Sequence, residues 1–143
     1  MICGIGVDMV TVSDMERRVA RMSPGALARM FTPAEIEASL ARGNRRAEYL
    51  ATRFAAKEAV YKALAPSLGK GRLELRRIEI LNRSDGSPYA NEEDPSLAAA
   101  MREAGASRIH LSITTEGDTA AAFAVAEWIQ DCLSSGIYAY NFL

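Results

Sequence analysis

A carboxylate stands at position 58 where a helix should be apolar. Leu50, Phe54, Tyr61 and Ala65 recur at the spacing of one helical stripe. Glu58 lies inside that stripe, four residues after Phe54 and three before Tyr61. A carboxylate so placed must be ion-paired, bound to a metal or raised in pKa. Lys57 and Lys62 flank it, and Lys62 lies one turn on, on the same face. Taken alone, Glu58 reads as half of an intrahelical Glu58–Lys62 ion pair. Asp8, taken alone, reads as a turn residue at the end of a strand. Together the two carboxylates suit a hard cation with oxygen ligands. Mg²⁺ is usually held by one or two carboxylates, with substrate phosphates completing its shell. Arg45, Arg46, Arg53, Lys57, Lys62, Lys70 and Arg72 supply cations that complement phosphate oxygens. The chemistry these residues point to is a Mg²⁺-assisted phosphate site.

Two elements must bring the carboxylates together. Residues 2–12 are rich in β-formers and predict a strand. On a period of two, Cys3, Ile5, Val7 and Met9 share one face, and Ile2, Gly4, Gly6 and Asp8 share the other. Two glycines on one face imply the close approach of another backbone or a ligand. If that face meets the helix carrying Glu58, Asp8 and Glu58 converge. The helix is predicted over 45–65, stopped by Pro66.

The other elements follow from local signals. Ser13 to Glu16 fits a capping box opening a helix to about Met22, and a short segment follows over 26–31. Thr32-Pro33-Ala34-Glu35 is a second capping box, for a helix ending near Gly43. Ser84-Asp85-Gly86 predicts a hairpin between 73–81 and 88–90. Asp94-Pro95 opens a helix to about Ala104, with Gly105 after it. Segments 108–114 and 119–129 read as strands, although the Ala-rich second one could equally be helical. Uneven interleaving with late antiparallel hairpins favours α+β over a doubly wound α/β fold. The expectation is a single domain over 1–131, an antiparallel sheet against a long central helix, with 132–143 as an extension of unknown role.

Composition narrows the function classes. Seventeen Lys+Arg against eighteen Asp+Glu leave a net charge of −1 in 143 residues, which disfavours a generic nucleic-acid binder. No apolar run reaches the roughly 20 residues of a membrane span, and the N-terminus lacks a basic n-region and meets Asp8 early, unlike a secretory signal. Cys3 and Cys132 have no partner spacing, so a disulfide framework and a cysteine zinc site are disfavoured. A cytoplasmic location is the expectation. Ser67 to Arg72 lacks Walker spacing, and Gly4-Ile5-Gly6 lacks a third glycine. His110, the one histidine, alternates on a strand and reads as a surface or satisfied residue. Trp128 reads as a core anchor, and Met15, Met22 and Met30 as core or interface filler.

Gly4-Ile5-Gly6-Val7-Asp8 and Arg53-Phe54-Ala55-Ala56-Lys57-Glu58-Ala59-Val60-Tyr61-Lys62-Ala63 together resemble the holo-acyl-carrier-protein synthases, small bacterial-type 4′-phosphopantetheinyl transferases. Phe31 to Glu35, Asp85 to Tyr89 and His110 to Thr114 fall in that family's order and spacing, so the resemblance covers nearly the whole chain. It implies transfer of phosphopantetheine from coenzyme A (CoA) to a serine of apo acyl carrier protein, with release of adenosine 3′,5′-bisphosphate. By position, Asp8 and Glu58 would hold Mg²⁺, with CoA as co-substrate, and Lys62 would contact its phosphates. Asp8, Glu58 and Lys62 would be the catalytic set. Arg45 and Arg53 would seat the 3′-phosphate and adenine end. The carrier's serine would attack the β-phosphate, with Glu58 or a water it orients accepting the proton. A homotrimer with CoA sites between subunits is also implied.

Two positions depart from the family pattern. Thr115 stands where many members have a histidine, and Asp14 where many have an arginine facing the carrier. Arg17, Arg18 and Arg21 lie one to two turns on and could take over docking. These departures motivate the alternative of a non-catalytic paralogue that binds CoA or the carrier.

Overall fold

The structure, a computed structural model, describes residues 1–69 and 73–130. Strand β1 (Ile2–Thr11) runs directly into helix α1 (Val12–Arg21). A short helix α2 (Pro24–Leu27) and α3 (Pro33–Leu40) follow, and then the long helix α4 (Arg46–Leu64). The hairpin β2 (Ile80–Asn82) and β3 (Pro88–Ala90), helix α5 (Pro95–Glu103), and strands β4 (Arg108–Glu116) and β5 (Thr119–Glu127) complete the order. Strands β1, β5 and β4 form an antiparallel sheet in that order, and β2–β3 form a separate two-stranded sheet. This is the expected α+β architecture, with one sheet laid against one long helix. The Ala-rich segment is a strand, the middle one of its sheet.

The glycine face of β1 meets α4. A Cβ on Gly4 would lie 1.8 Å from the Ala63 carbonyl oxygen, and one on Gly6 would lie 1.9 Å from that of Ala59. No side chain fits there, so the strand backbone rests directly on a helical turn. The facing surfaces are correspondingly small. Ala55, Ala59 and Ala63 on α4 and Ala122, Ala124 and Ala126 on β5 are all buried in one cluster. Larger side chains close its periphery, among them Leu64, Ile78, Ile80 and Leu97. A second cluster joins Met15, Leu27, Met30 and Phe31 to Leu50 and Ala51, which makes Met15 and Met30 core filler as expected.

The local signals held unevenly. The Thr32–Glu35 capping box forms in both directions, but its helix ends at Leu40, and Gly43 begins a 3-10 turn at φ 55°. The Ser13–Glu16 box does not form, because α1 starts two residues earlier, with Thr11 as an N-cap that gives no side-chain bond. Asp118, in the β4–β5 turn, does the capping instead. Its Oδ1 accepts from the Ser13 N–H at 2.8 Å, and its carbonyl accepts from Val12 N–H at 2.8 Å. On α4, Leu50 is buried, but Phe54 and Tyr61 are only half-buried, as is Ala65 just past its end. The deepest face is the small-residue one against the glycines. Trp128 is not a core anchor: β5 ends before it, and it is 42% exposed. Its backbone pairs with Met1 in both directions, at 2.6 Å and 2.8 Å. Cys132 and the 132–143 extension lie outside the described residues.

Gly6→Ala is expected to destabilise the domain by about 3 kcal/mol or more, since the overlap is with backbone that cannot rotate away. Gly25→Ala, with nothing within 4 Å of the new methyl, is the control and should leave stability unchanged. Urea unfolding of the two variants measures the difference.

Candidate active site

Asp8 lies on the glycine face of β1, two residues beyond Gly6. Because Gly6 brings β1 onto the turn of α4 that contains Ala59 and Ala63, Asp8 arrives beside that turn. Lys62 reaches across the seam. Its Nζ donates to Asp8 Oδ1 at 2.6 Å and to the Val7 carbonyl at 3.1 Å. The pair is therefore Asp8–Lys62, across two elements, and the intrahelical Glu58–Lys62 reading is superseded. The Asp8 side chain is 18% exposed and that of Lys62 48%, so the cluster opens to solvent.

Glu58 completes the cluster from α4. Burial pushes its carboxyl above the usual range, and the charge of Asp8 pushes it further, while Lys62 opposes both. Two carboxylates at one opening, one of them reluctant to ionise, form a site short of positive charge. Among the described residues, no group of three or more His, Cys, Asp or Glu side chains gathers to enclose a metal. Two carboxylates alone suit a magnesium ion that takes its remaining oxygens from water and a substrate phosphate.

Arg53 and Arg45 line a different place, earlier on α4. Nine residues along a helix give about 13 Å of rise and about two and a half turns, so Arg53 and Lys62 leave opposite sides of α4. A pocket of about 310 Å³ lies between Arg42, Arg45, Tyr49, Arg53 and Asn82. Arg53 is 5% exposed; it donates from Nη2 to Asn82 Oδ1, and its guanidinium lies 4.5 Å from the Tyr49 ring centroid. Its Nε is buried with no partner. Arg42 also lies over Tyr49, at 4.9 Å, and Arg45 is exposed and paired to Glu48 at 2.6 Å. The guanidinium groups of Arg42, Arg45 and Arg53 beside an aromatic ring suit an anionic ligand.

The sequence reading grouped seven cations around one site, and the structure separates them. Lys62 is at the carboxylates. Arg45 and Arg53 are at the pocket, and Arg46 bonds Ser39 Oγ at 3.2 Å. Lys57 points the other way, into the core, where it pairs with Glu35 at 2.6 Å. Lys70 and Arg72 lie outside the described residues. Asn82 and Tyr49, which hold Arg53, were not singled out from sequence; their partnership spans 29 residues in one case. His110 is exposed and meets Glu127 at 2.7 Å, as a satisfied surface residue.

The sequence pattern of the 4′-phosphopantetheinyl transferase superfamily matches residues 4–124. The chain belongs to that family. It is 44% identical over 128 residues to the holo-[acyl-carrier-protein] synthase of Salinispora arenicola, covering 89% of this chain and 99% of that protein. The crystal structure of the Neisseria meningitidis holo-[acyl-carrier-protein] synthase superposes with a TM-score of 0.77 at 36% identity, over 89% of this chain and 99% of that one. The Bacillus anthracis synthase, solved in complex with CoA (3′,5′-ADP), gives 0.70 at 29% identity, over 90% and 99%. The resemblance read from the two motifs is thereby borne out, as are the transferase class and the fold.

Glu58→Gln should raise the melting temperature of the metal-free protein at neutral pH, because it removes a half-buried carboxylate facing Asp8. The sign follows from the raised folded-state pKa. The ionised form is the disfavoured one, so the gain is full above that pKa. It should fade as pH falls and vanish below about 4.3, where the wild-type carboxyl becomes protonated in both states. Thermal melts of both proteins across pH 4–8 read it.

Proposed function

We propose that this transferase moves the phosphopantetheine group of CoA to a serine of an apo acyl carrier protein, in a Mg²⁺-dependent reaction at Asp8, Glu58 and Lys62. The observation that carries the reading is the juxtaposition of Glu58 with the Asp8–Lys62 pair at the seam of β1 and α4. Asp8 and Glu58 are the residues that would hold the ion. Bound there, Mg²⁺ would supply charge neutralisation on the pyrophosphate. Lys62 is the nearby ammonium; 48% of its side chain is exposed, and it would exchange its bond to Asp8 for an incoming phosphate. Arg53 and Arg45 bind the adenosine end with its 3′-phosphate. The carrier's serine attacks the β-phosphate. The serine proton passes to Glu58 or to a water it orients, and adenosine 3′,5′-bisphosphate leaves.

Three further readings accompany this one. The transferase domain spans 1–131. Arg17, Arg18 and Arg21 on α1 form the docking face for the acidic carrier, although Asp14 neutralises part of it by pairing with Arg17. The chain assembles as a homotrimer with sites between subunits. The outer face of the main sheet supports assembly, since Ile5, Val7, Met9 and Phe123 stand together on it at 47–68% exposure. No helix among the described residues is long and apolar enough to cross a membrane, which is compatible with work in the cytoplasm on fatty-acid carriers.

Incubating an apo acyl carrier protein with this protein, CoA and Mg²⁺ should add a phosphopantetheine-sized mass to the carrier, and EDTA should abolish the gain. Glu58→Ala should abolish it as well, and Lys62→Met should slow it by roughly 10²–10³-fold. Tight CoA binding with no transfer to any carrier would instead mark a binding-only paralogue. Phe123→Glu should convert the assembly to monomers in analytical ultracentrifugation.

A further inference from the structure

Lys57 and Glu35 form an ion pair of 2.6 Å with both side chains wholly buried. Neither reaches the candidate site. Glu35 Oε2 also accepts from the Thr32 N–H at 2.9 Å, and its Oε1 accepts from the Ile80 N–H at 2.8 Å. Lys57 Nζ also donates to the Leu75 carbonyl at 3.2 Å. These contacts join α3, α4, the 75–77 turn and the first residue of β2. The capping box alone needs only the bonds between Thr32 and Glu35. It does not require a buried lysine or a grip on Ile80.

Two residues beyond Ile80 stands Asn82, whose Oδ1 receives Arg53 Nη2. Arg53 has little else to orient it: the Tyr49 ring lies against its guanidinium, and its Nε has no partner. A line of contacts therefore runs from Lys57 to Glu35, to Ile80, along β2 to Asn82, and back to Arg53. Both ends lie on α4, one turn apart. The helix holds the hairpin at residue 57, and the hairpin holds the helix's own arginine at residue 53.

We infer that Glu35 and Lys57 are a positioning pair that sets the β2–β3 hairpin, and through Asn82 the Arg53 guanidinium, for the phosphate-bearing adenosine end of CoA. The inference rests on the reading of that pocket given above. Arg53 is the group that touches ligand; Glu35, Lys57 and Asn82 act through it. Hydrogen bonds to a buried carboxylate are directional, whereas apolar packing of equal volume is not. Replacing both charges together avoids leaving one of them buried and unpaired.

The test uses the full chain carrying Glu35→Gln with Lys57→Met. Gln at 35 can accept from Thr32 or from Ile80 but not from both, because its second terminal group is a donor. A cooperative melt establishes folding. The expected result is a KM for CoA raised about tenfold, with kcat and the Mg²⁺ dependence within about twofold of wild type. The affinity for adenosine 3′,5′-bisphosphate, by calorimetry, should fall by the same factor. Asn82→Ala, at an exposed position, should raise KM to a similar extent. The triple variant should be no worse than Asn82→Ala alone, because both changes act along one line of contacts. A wild-type KM in either variant, additive effects in the triple variant, or a fall in kcat matching the rise in KM would overturn the inference. If Glu35→Gln with Lys57→Met does not fold, Asn82→Ala decides: a wild-type KM there overturns it. A wild-type chain that neither binds CoA nor modifies a carrier would overturn the functional reading first, and the inference with it.

Discussion

The site depends on one contact between two backbones. β1 lies on α4 at Gly4 and Gly6, with no side chain between them. A methyl group at either glycine would overlap the carbonyl of Ala63 or Ala59. That approach is what lets Asp8 stand over a turn of α4 rather than a side chain's length away from it. Lys62 can then bridge to Asp8 and to the Val7 carbonyl, and Glu58 can feel the charge of Asp8. The two glycines carry no chemistry, yet the carboxylates meet only because the glycines are there.

The cluster so formed is a poor structural device. Its two carboxylates raise each other's cost, and Lys62 offsets only part of it. A protein selecting for stability alone would place an amide or an apolar group at 58. That price in stability fits the proposed reading, in which a cation and a phosphate would supply the missing charge. The Arg53 pocket shows the opposite imbalance, with guanidinium groups in excess. The two places therefore carry opposite imbalances, about 13 Å apart along one helix and on opposite sides of it.

Much of this was legible in the sequence where the signals were local and periodic. The period-two pattern of β1 put Gly4, Gly6 and Asp8 on one face, and Glu58 stood out inside a helical stripe. Those facts needed no knowledge of the tertiary structure. The Thr32–Glu35 capping box was equally local. Relations across long stretches of chain were not legible. Lys57 seemed to belong with Glu58 because it is adjacent, but adjacent helical residues point about 100° apart, and Lys57 faces the core. Its partner Glu35 sits on another helix. Asp118 caps α1 from 105 residues away, so the more obvious Ser13–Glu16 signal was a decoy. Trp128 suggested burial by its residue type, but the end of β5 decided its exposure.

The small-residue interface has a consequence for how such a chain can change over time. Ala55, Ala59 and Ala63 are buried in one cluster with Ala122, Ala124 and Ala126, and Gly4 and Gly6 leave no room for a Cβ. Substitutions can enter freely only on the other sides of these elements. The sheet's outer face and the exposed face of α1 are the surfaces open to drift. Those are also the surfaces through which copies of the chain and a carrier would be met. On the proposed reading, ordinary surface mutation would rewrite partner choice, while the seam that carries Asp8 and Glu58 stays fixed.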